Sequence, residues 1–207
     1  MKNGSGAPRQ RLFGRCFAVA WVLCAVLAPV PMSVAAGHSH EGGGHTHADA
    51  TSELVIAAQN DDIAKVRALL ETGSYVNSTD ADGRTALMHV SISGNIEIAR
   101  LLLANEARSE LADKSGNAAL HYAAAHGNLE VVRLLLERNA PPDQQNHEGE
   151  TALMLAAGSG KLPIVHALLD RGADPGKRDY TGRDALDWAQ DHKQNGAVAI
   201  LHGAGQR

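Results

Sequence analysis

From residue 80 onward the apolar and polar positions of this chain recur every 33 residues. Leu87, Leu120, Leu153 and Leu186 are equally spaced, as are Gly83, Gly116, Gly149 and Gly182, and Asp80, Asp113, Asn146 and Asp179. Self-similarity at such a period indicates a solenoid, in which each unit buries its apolar face only against its neighbours. The stretch DKSGNAALHYAAAHGNLEVVRLLLERNA, residues 113 to 140, gives the order within a unit. Asp113 and Gly116 frame a turn. Leu120, Ala123 and Ala124 fall on one face of a first helix, and Gly127 then breaks the chain. Val131, Val132, Leu134, Leu135 and Leu136 form the apolar stripe of a second helix. The pattern predicts an all-α solenoid of stacked helix-turn-helix units joined by short hairpin turns.

These phased residues resemble the ankyrin repeat. The family pattern D-x-x-G-x-T-P-L-H-x-A-A-x-x-G is matched by DADGRTALMHVSISG at 80–94, DKSGNAALHYAAAHG at 113–127, NHEGETALMLAAGSG at 146–160 and DYTGRDALDWAQDHK at 179–193. A helix-only half match, SELVIAAQNDDIAKVRALLETGSYVN, precedes them at 52–77. The resemblance implies an ankyrin-repeat domain over 52–207, with an N-terminal cap at 52–79, repeats at 80–112, 113–145 and 146–178, and a C-terminal cap repeat at 179–207. The family proline is replaced by Ala86, Ala119, Ala152 and Ala185, and the family histidine survives only at His121, where it braces the hairpin. These losses imply a weaker link between turn and helix in the other units. The family also places a left-handed residue, usually glycine, after the second helix. Gly73 and Gly172 fit, Asn139 is the usual substitute, and Glu106 breaks the rule at a cost of about 1 to 2 kcal/mol.

The segment before the stack sets the compartment. Residues 1–36 carry Lys2, Arg9, Arg11 and Arg15 with no acid, then an apolar stretch from Cys16 to Val30, then small residues, which is the layout of a secretory signal peptide. Cleavage fits equally after Ala35 or Ala36, and mass spectrometry of the mature N-terminus separates the two. An uncleaved anchor is the alternative, and only that form would touch a membrane; Pro29 and Pro31 would break its helix. Export is expected in either case, to the periplasm if the source is Gram-negative and otherwise to the outside. Removing the segment leaves 15 Lys and Arg against 23 Asp and Glu, a net charge of about −8, which argues against a nucleic-acid partner. Cys16 and Cys24 leave with it, so the core must hold without a disulfide. No Phe remains, and the only Trp left is Trp188, so the packing is aliphatic. The expected state is a monomer.

Catalytic fragments fail on spacing. GSGK at 158–161 lacks the earlier glycine and the Ser or Thr that a phosphate loop requires, having Leu155 and Leu162 there. HEGET at 147–151 has Thr151 where a zinc protease needs its second histidine. No thiol and no G-x-S-x-G elbow offers a nucleophile. The expectation is a protein without enzymatic activity or cofactor. Asn77, in a glycosylation sequon, reads instead as a turn residue.

The resemblance implies a non-catalytic adaptor that grips a protein on the concave face formed by hairpin tips and first helices. Carried over position by position, the partner-binding residues are Arg84, Ile92, Asn117, His126, His147, Glu150, Tyr180, Arg183 and His192. A second reading comes from the tract GHSHEGGGHTH at 37–47, within a linker at 37–51 too rich in glycine to pack a core. His38, His40, His45 and His47 give it the composition of a weak Zn, Cu or Ni site, which would make the chain a metal-handling protein. Cleavage after Ala35 would add an Ala-Gly-His terminus that resembles a Cu(II) or Ni(II) motif. Calorimetric titration of chains with and without residues 37–47 discriminates the two readings.

Overall fold

A computed structural model describes residues 52–204. The expected signal peptide, its cleavage sites and the histidine tract lie outside them. Ten helices follow in pairs: α1 (Glu53–Gln59) and α2 (Ile63–Glu71), α3 (Ala86–Ser93) and α4 (Ile96–Ala104), α5 (Ala119–His126) and α6 (Leu129–Glu137), α7 (Ala152–Gly158) and α8 (Leu162–Asp170), α9 (Ala185–Asp191) and α10 (Asn195–Ala204). First helices pack on first helices and second on second, so the pairs form two layers. The connecting hairpins are pinned by little sheet structure, the isolated bridges being Thr79 to Thr85 and Ala112 to Ala118.

Helix starts are set locally. Thr85 and Thr151 accept the backbone N–H of Met88 and Met154 at 3.3 Å, and Asp184 accepts those of Leu186 and Asp187 at 3.0 Å, satisfying amides a helix end would otherwise orphan. The reciprocal bond runs to the residue in the family-histidine position. The Thr85 and Thr151 N–H groups donate to Met88 Sδ and Met154 Sδ at 3.4 Å, that of Ala118 to His121 Nδ1 at 3.1 Å, and that of Asp184 to Asp187 Oδ2 at 3.1 Å. Methionine and aspartate thus supply the acceptor that histidine supplies in the third unit. The expected weakening of the link between turn and helix is corrected to this extent: the acceptor half survives everywhere, and only the donor half is unique to His121.

Second helices close in the left-handed region, as the resemblance to the ankyrin repeat implied. Glu106 has φ 64° and Asn139 φ 61°, beside Gly73 and Gly172 at 82° and 83°. A second left-handed position lies between the helices of each pair, at Asp61, Gly94, Gly127, Gly160 and Lys193. At Gly94 the reason is also a close approach. The Asn128 side chain of the next unit donates to the carbonyls of Ser91 and Ile92 at 2.9 Å each, and a Cβ on Gly94 would come within 2.7 Å of its oxygen. Asn77 likewise serves the turn, its oxygen accepting the Arg108 N–H at 2.9 Å.

The core is aliphatic and continuous. Leu87, Leu120 and Leu153 are buried between the layers, as are Leu102, Leu135 and Leu168 on the second helices. Leu186 and Leu69, in phase with them, are only partly buried because they sit in the terminal units. Pro163 stands in the first turn of α8, where its missing N–H costs nothing. Among the described residues no helix is long and apolar enough to cross a membrane.

Two stability predictions follow from this packing. Leu135→Ala removes a side chain with no exposed surface and is expected to cost about 2 to 5 kcal/mol in a denaturant melt; a loss under about half a kcal/mol would contradict its place in the core. Glu106→Gly relieves the left-handed Cβ and is expected to stabilise by about 0.5 to 1 kcal/mol, part of the gain being offset by unfolded-chain entropy. Equal m values in both melts would confirm that the same surface unfolds.

Candidate functional site

Each hairpin is organised by one side-chain oxygen. Oδ1 of Asp80, Asp113, Asn146 and Asp179 accepts the backbone N–H groups two and four residues further on, at 2.8 to 2.9 Å. The other oxygen of each aspartate accepts from a first-helix side chain nine residues on. The donors are His89 Nε2 at 2.7 Å, the Tyr122 hydroxyl, and Trp188 Nε1 at 2.9 Å. Burial pushes all three carboxyls up, but these bonds outweigh it and hold them below the usual carboxylate range. The remaining unit has Leu155 in the donor position, and there the aspartate is replaced by Asn146. Its amide needs no donor; it donates instead to Asn117 Oδ1 at 3.0 Å and Glu150 Oε2 at 2.9 Å.

This frame places the residues expected to bind a partner. Arg84 lies over the Tyr122 ring at 5.3 Å, its Nε 3.6 Å from Asp113 Oδ2. Arg183 covers the Trp188 ring at 4.7 Å, donates to Asp179 through Nε at 3.2 Å and Nη2 at 3.1 Å, and meets Asp191 at 3.6 Å. His192 stacks on the same indole, with centroids 5.5 Å apart, and donates from Nδ1 to the Trp188 carbonyl at 2.8 Å. Asn117 and Glu150 meet through Asn146. Ile92 is half-buried near the end of α3, and His126, the last residue of α5, is exposed.

At the hairpin tips each unit donates one backbone bond to the one before it. Lys114, His147 and Tyr180 give their N–H groups to the carbonyls of Asp82, Ser115 and Glu148, each at 3.0 Å. The Tyr180 ring rests so closely on Gly149 that a Cβ there would come 2.8 Å from its Cδ1, yet Tyr180 is 75% exposed. His147 sits the same way on Gly116.

The sequence reading missed the column His89, Tyr122, Leu155 and Trp188 as a functional feature, although their common spacing of 33 was there to find. Their role depends on the aspartate nine residues earlier, a contact that spans the hairpin. His38, His40, His45 and His47 lie outside the described residues, and among those described no group of three or more His, Cys, Asp or Glu is placed to hold a metal ion.

His121 is buried beneath this face. Its Nδ1 accepts from Ala118, and its Nε2 donates to the carbonyls of Gln144 at 3.0 Å and Glu150 at 3.2 Å, so the ring is bound as the neutral Nε2–H form. Burial holds its pKa below the ordinary value, the carbonyl acceptors opposing in part. The stability it contributes is therefore complete above about pH 6.5 and is lost as pH falls from there through the folded-state value. His121→Gln is expected to flatten the decline in unfolding free energy as pH falls below about 6.5, measured by denaturant melts. Identical slopes in variant and wild type would rule out this linkage.

The family model described as Ankyrin repeats (3 copies) matches residues 54–146 and 138–206. No curated protein matches the chain by sequence. Such repeats are generally protein-protein interaction modules and typically not catalytic. The paired helices, the hairpins built on one oxygen per unit, and a family match over most of the chain's length together place this chain in the ankyrin-repeat family.

Proposed function

We propose that the chain is an exported, non-enzymatic adaptor that holds a protein partner on its concave face. The observation that carries this reading is the tip row. Tyr180 is an aromatic side chain seated on Gly149 and still mostly exposed, so it can enter an interface without much further loss of freedom. His147 repeats the arrangement one unit earlier. Export is supported by the basic and apolar layout of residues 1–36, and the acidic balance of the remainder disfavours nucleic acid. The alternative, metal handling by His38, His40, His45 and His47, rests on composition alone.

A photo-reactive phenylalanine analogue at position 180, introduced into the full chain in its source cell, is expected to yield a discrete heavier adduct on illumination. The same group at the exposed position 100, on the second-helix layer, is expected to yield none. An adduct from 100 and not from 180 would overturn the reading.

A further inference from the structure

Met88, His121, Met154 and Asp187 each turn a side chain back onto the N-cap of their own helix. Among these four, His121 is the one that also bonds onward to the next unit. Its Nδ1 accepts the Ala118 N–H at 3.1 Å, and its Nε2 donates to the carbonyls of Gln144 and Glu150 at 3.0 and 3.2 Å. Those two carbonyls bracket the following hairpin, so one buried ring ties the start of α5 to residues 144–150. Two further bonds join the same hairpins, from the His147 N–H to the Ser115 carbonyl and from the Asn146 amide to Asn117, each at 3.0 Å.

This ring has no room for a second proton. The Ala118 N–H points at Nδ1, so a proton there sets two hydrogens face to face, and turning the ring away gives up both carbonyl bonds. The cation would also be formed on a residue only 2% exposed. Asp113 is the charge that acts on it in favour of the cation, but its oxygens already accept from Tyr122 and from two hairpin amides. The helices packed on α5 bring little more. α7 has no ionisable residue, His89 of α3 is held by Asp80, and Glu130, Arg133 and Glu137 of α6 are exposed. Glu150 presents its carbonyl to the ring, while its carboxylate accepts from Asn146.

We infer that His121 is a proton-operated latch: a proton on its Nδ1 releases the Ala118 N–H and the Gln144 and Glu150 carbonyls together, and opens the joint between hairpins 113–118 and 146–150 while the neighbouring joints stay closed. The units on either side have Met88 and Met154 at the equivalent position, and a thioether takes no proton. A stack whose units touch only their neighbours can open at one joint without unfolding as a whole. Burial holds the pKa of the latched ring down, and the released ring regains the ordinary value near about 6.5. The open joint therefore binds more protons and gains population as pH falls below that value, until the latched ring titrates too. On the reading of the concave face as a partner surface, the same proton would part Asn117 from His147 and release the partner in acid.

The latch is tested without a partner, so its failure leaves the concave-face reading standing. NMR of the full chain follows the charge and tautomer of His121 with pH, and amide hydrogen exchange gives protection factors at Ala118 and His147. Protection at both is expected to fall about tenfold for each pH unit below about 6.5, down to the folded-state value of His121. Lys114 and Tyr180, whose N–H groups make the same tip bond at the neighbouring joints, should keep theirs. His121→Met, the residue found at 88 and 154, keeps an acceptor for Ala118 and removes the proton site, so protection at Ala118 should stay level with pH. Circular dichroism checks that this variant folds, and the wild-type titration decides alone if it does not. An imidazole that stays neutral until the whole stack unfolds would overturn the latch. So would an equal fall in protection in His121→Met, which would assign the effect to Asp113 or Glu150, or a fall at Lys114 and Tyr180 in step with Ala118, which would mean global unfolding.

Discussion

One side-chain oxygen in each of the four hairpin-bearing units holds that hairpin together. Oδ1 of Asp80, Asp113, Asn146 and Asp179 folds its hairpin by taking two backbone N–H groups, and a hairpin that short has too few bridges of its own to keep its shape. Burying that oxygen carries a consequence. An aspartate brings a second, charged oxygen under the first helix, where it must find a donor or incur a desolvation penalty. The residue nine positions on is therefore not free to vary independently. Three units satisfy it with imidazole, phenol and indole, and the fourth discharges the group to an amide.

Several departures from the family pattern read the same way, as exchanges that keep a bond and change its chemistry. The acceptor that reaches back to the helix N-cap is a thioether in two units, an imidazole in one and a carboxylate in one. Asn77 accepts the Arg108 N–H and Asp143 that of Asp174, both at 2.9 Å. The unit between them has Pro141, which has no N–H to give, and there Glu110 pairs with Arg108 at 2.7 Å instead. The N-cap exchanges and the Asn77 and Asp143 bonds each give a backbone N–H its acceptor.

Aromatic rings and carboxylates of the chain engage both hairpin arginines. Arg84 and Arg183, which the resemblance names among the partner-binding residues, pack against aromatic rings and carboxylates of the chain itself. The His147 and Tyr180 rings are seated on the preceding hairpin's glycine and remain exposed.

The period of 33 by itself determined the pairing of helices and the aliphatic core, because these depend on residue type at fixed positions within a unit and on similar neighbours, and the resemblance to the ankyrin repeat added the left-handed endings, Glu106 included. The expectation of export rests on the basic and apolar composition of residues 1–36 alone. The allocation of charge was not determined by the period. Whether an arginine on the concave face is a free anchor or an internal counter-ion depends on which ring and which carboxylate the next turn brings within a few ångströms. The spacings of nine and 29 residues that join Asp113 to Tyr122 and to Arg84 become contacts only when the hairpin folds back and the next unit stacks on it. Tertiary structure alone decided that Arg84 and Arg183 pack on the Tyr122 and Trp188 rings.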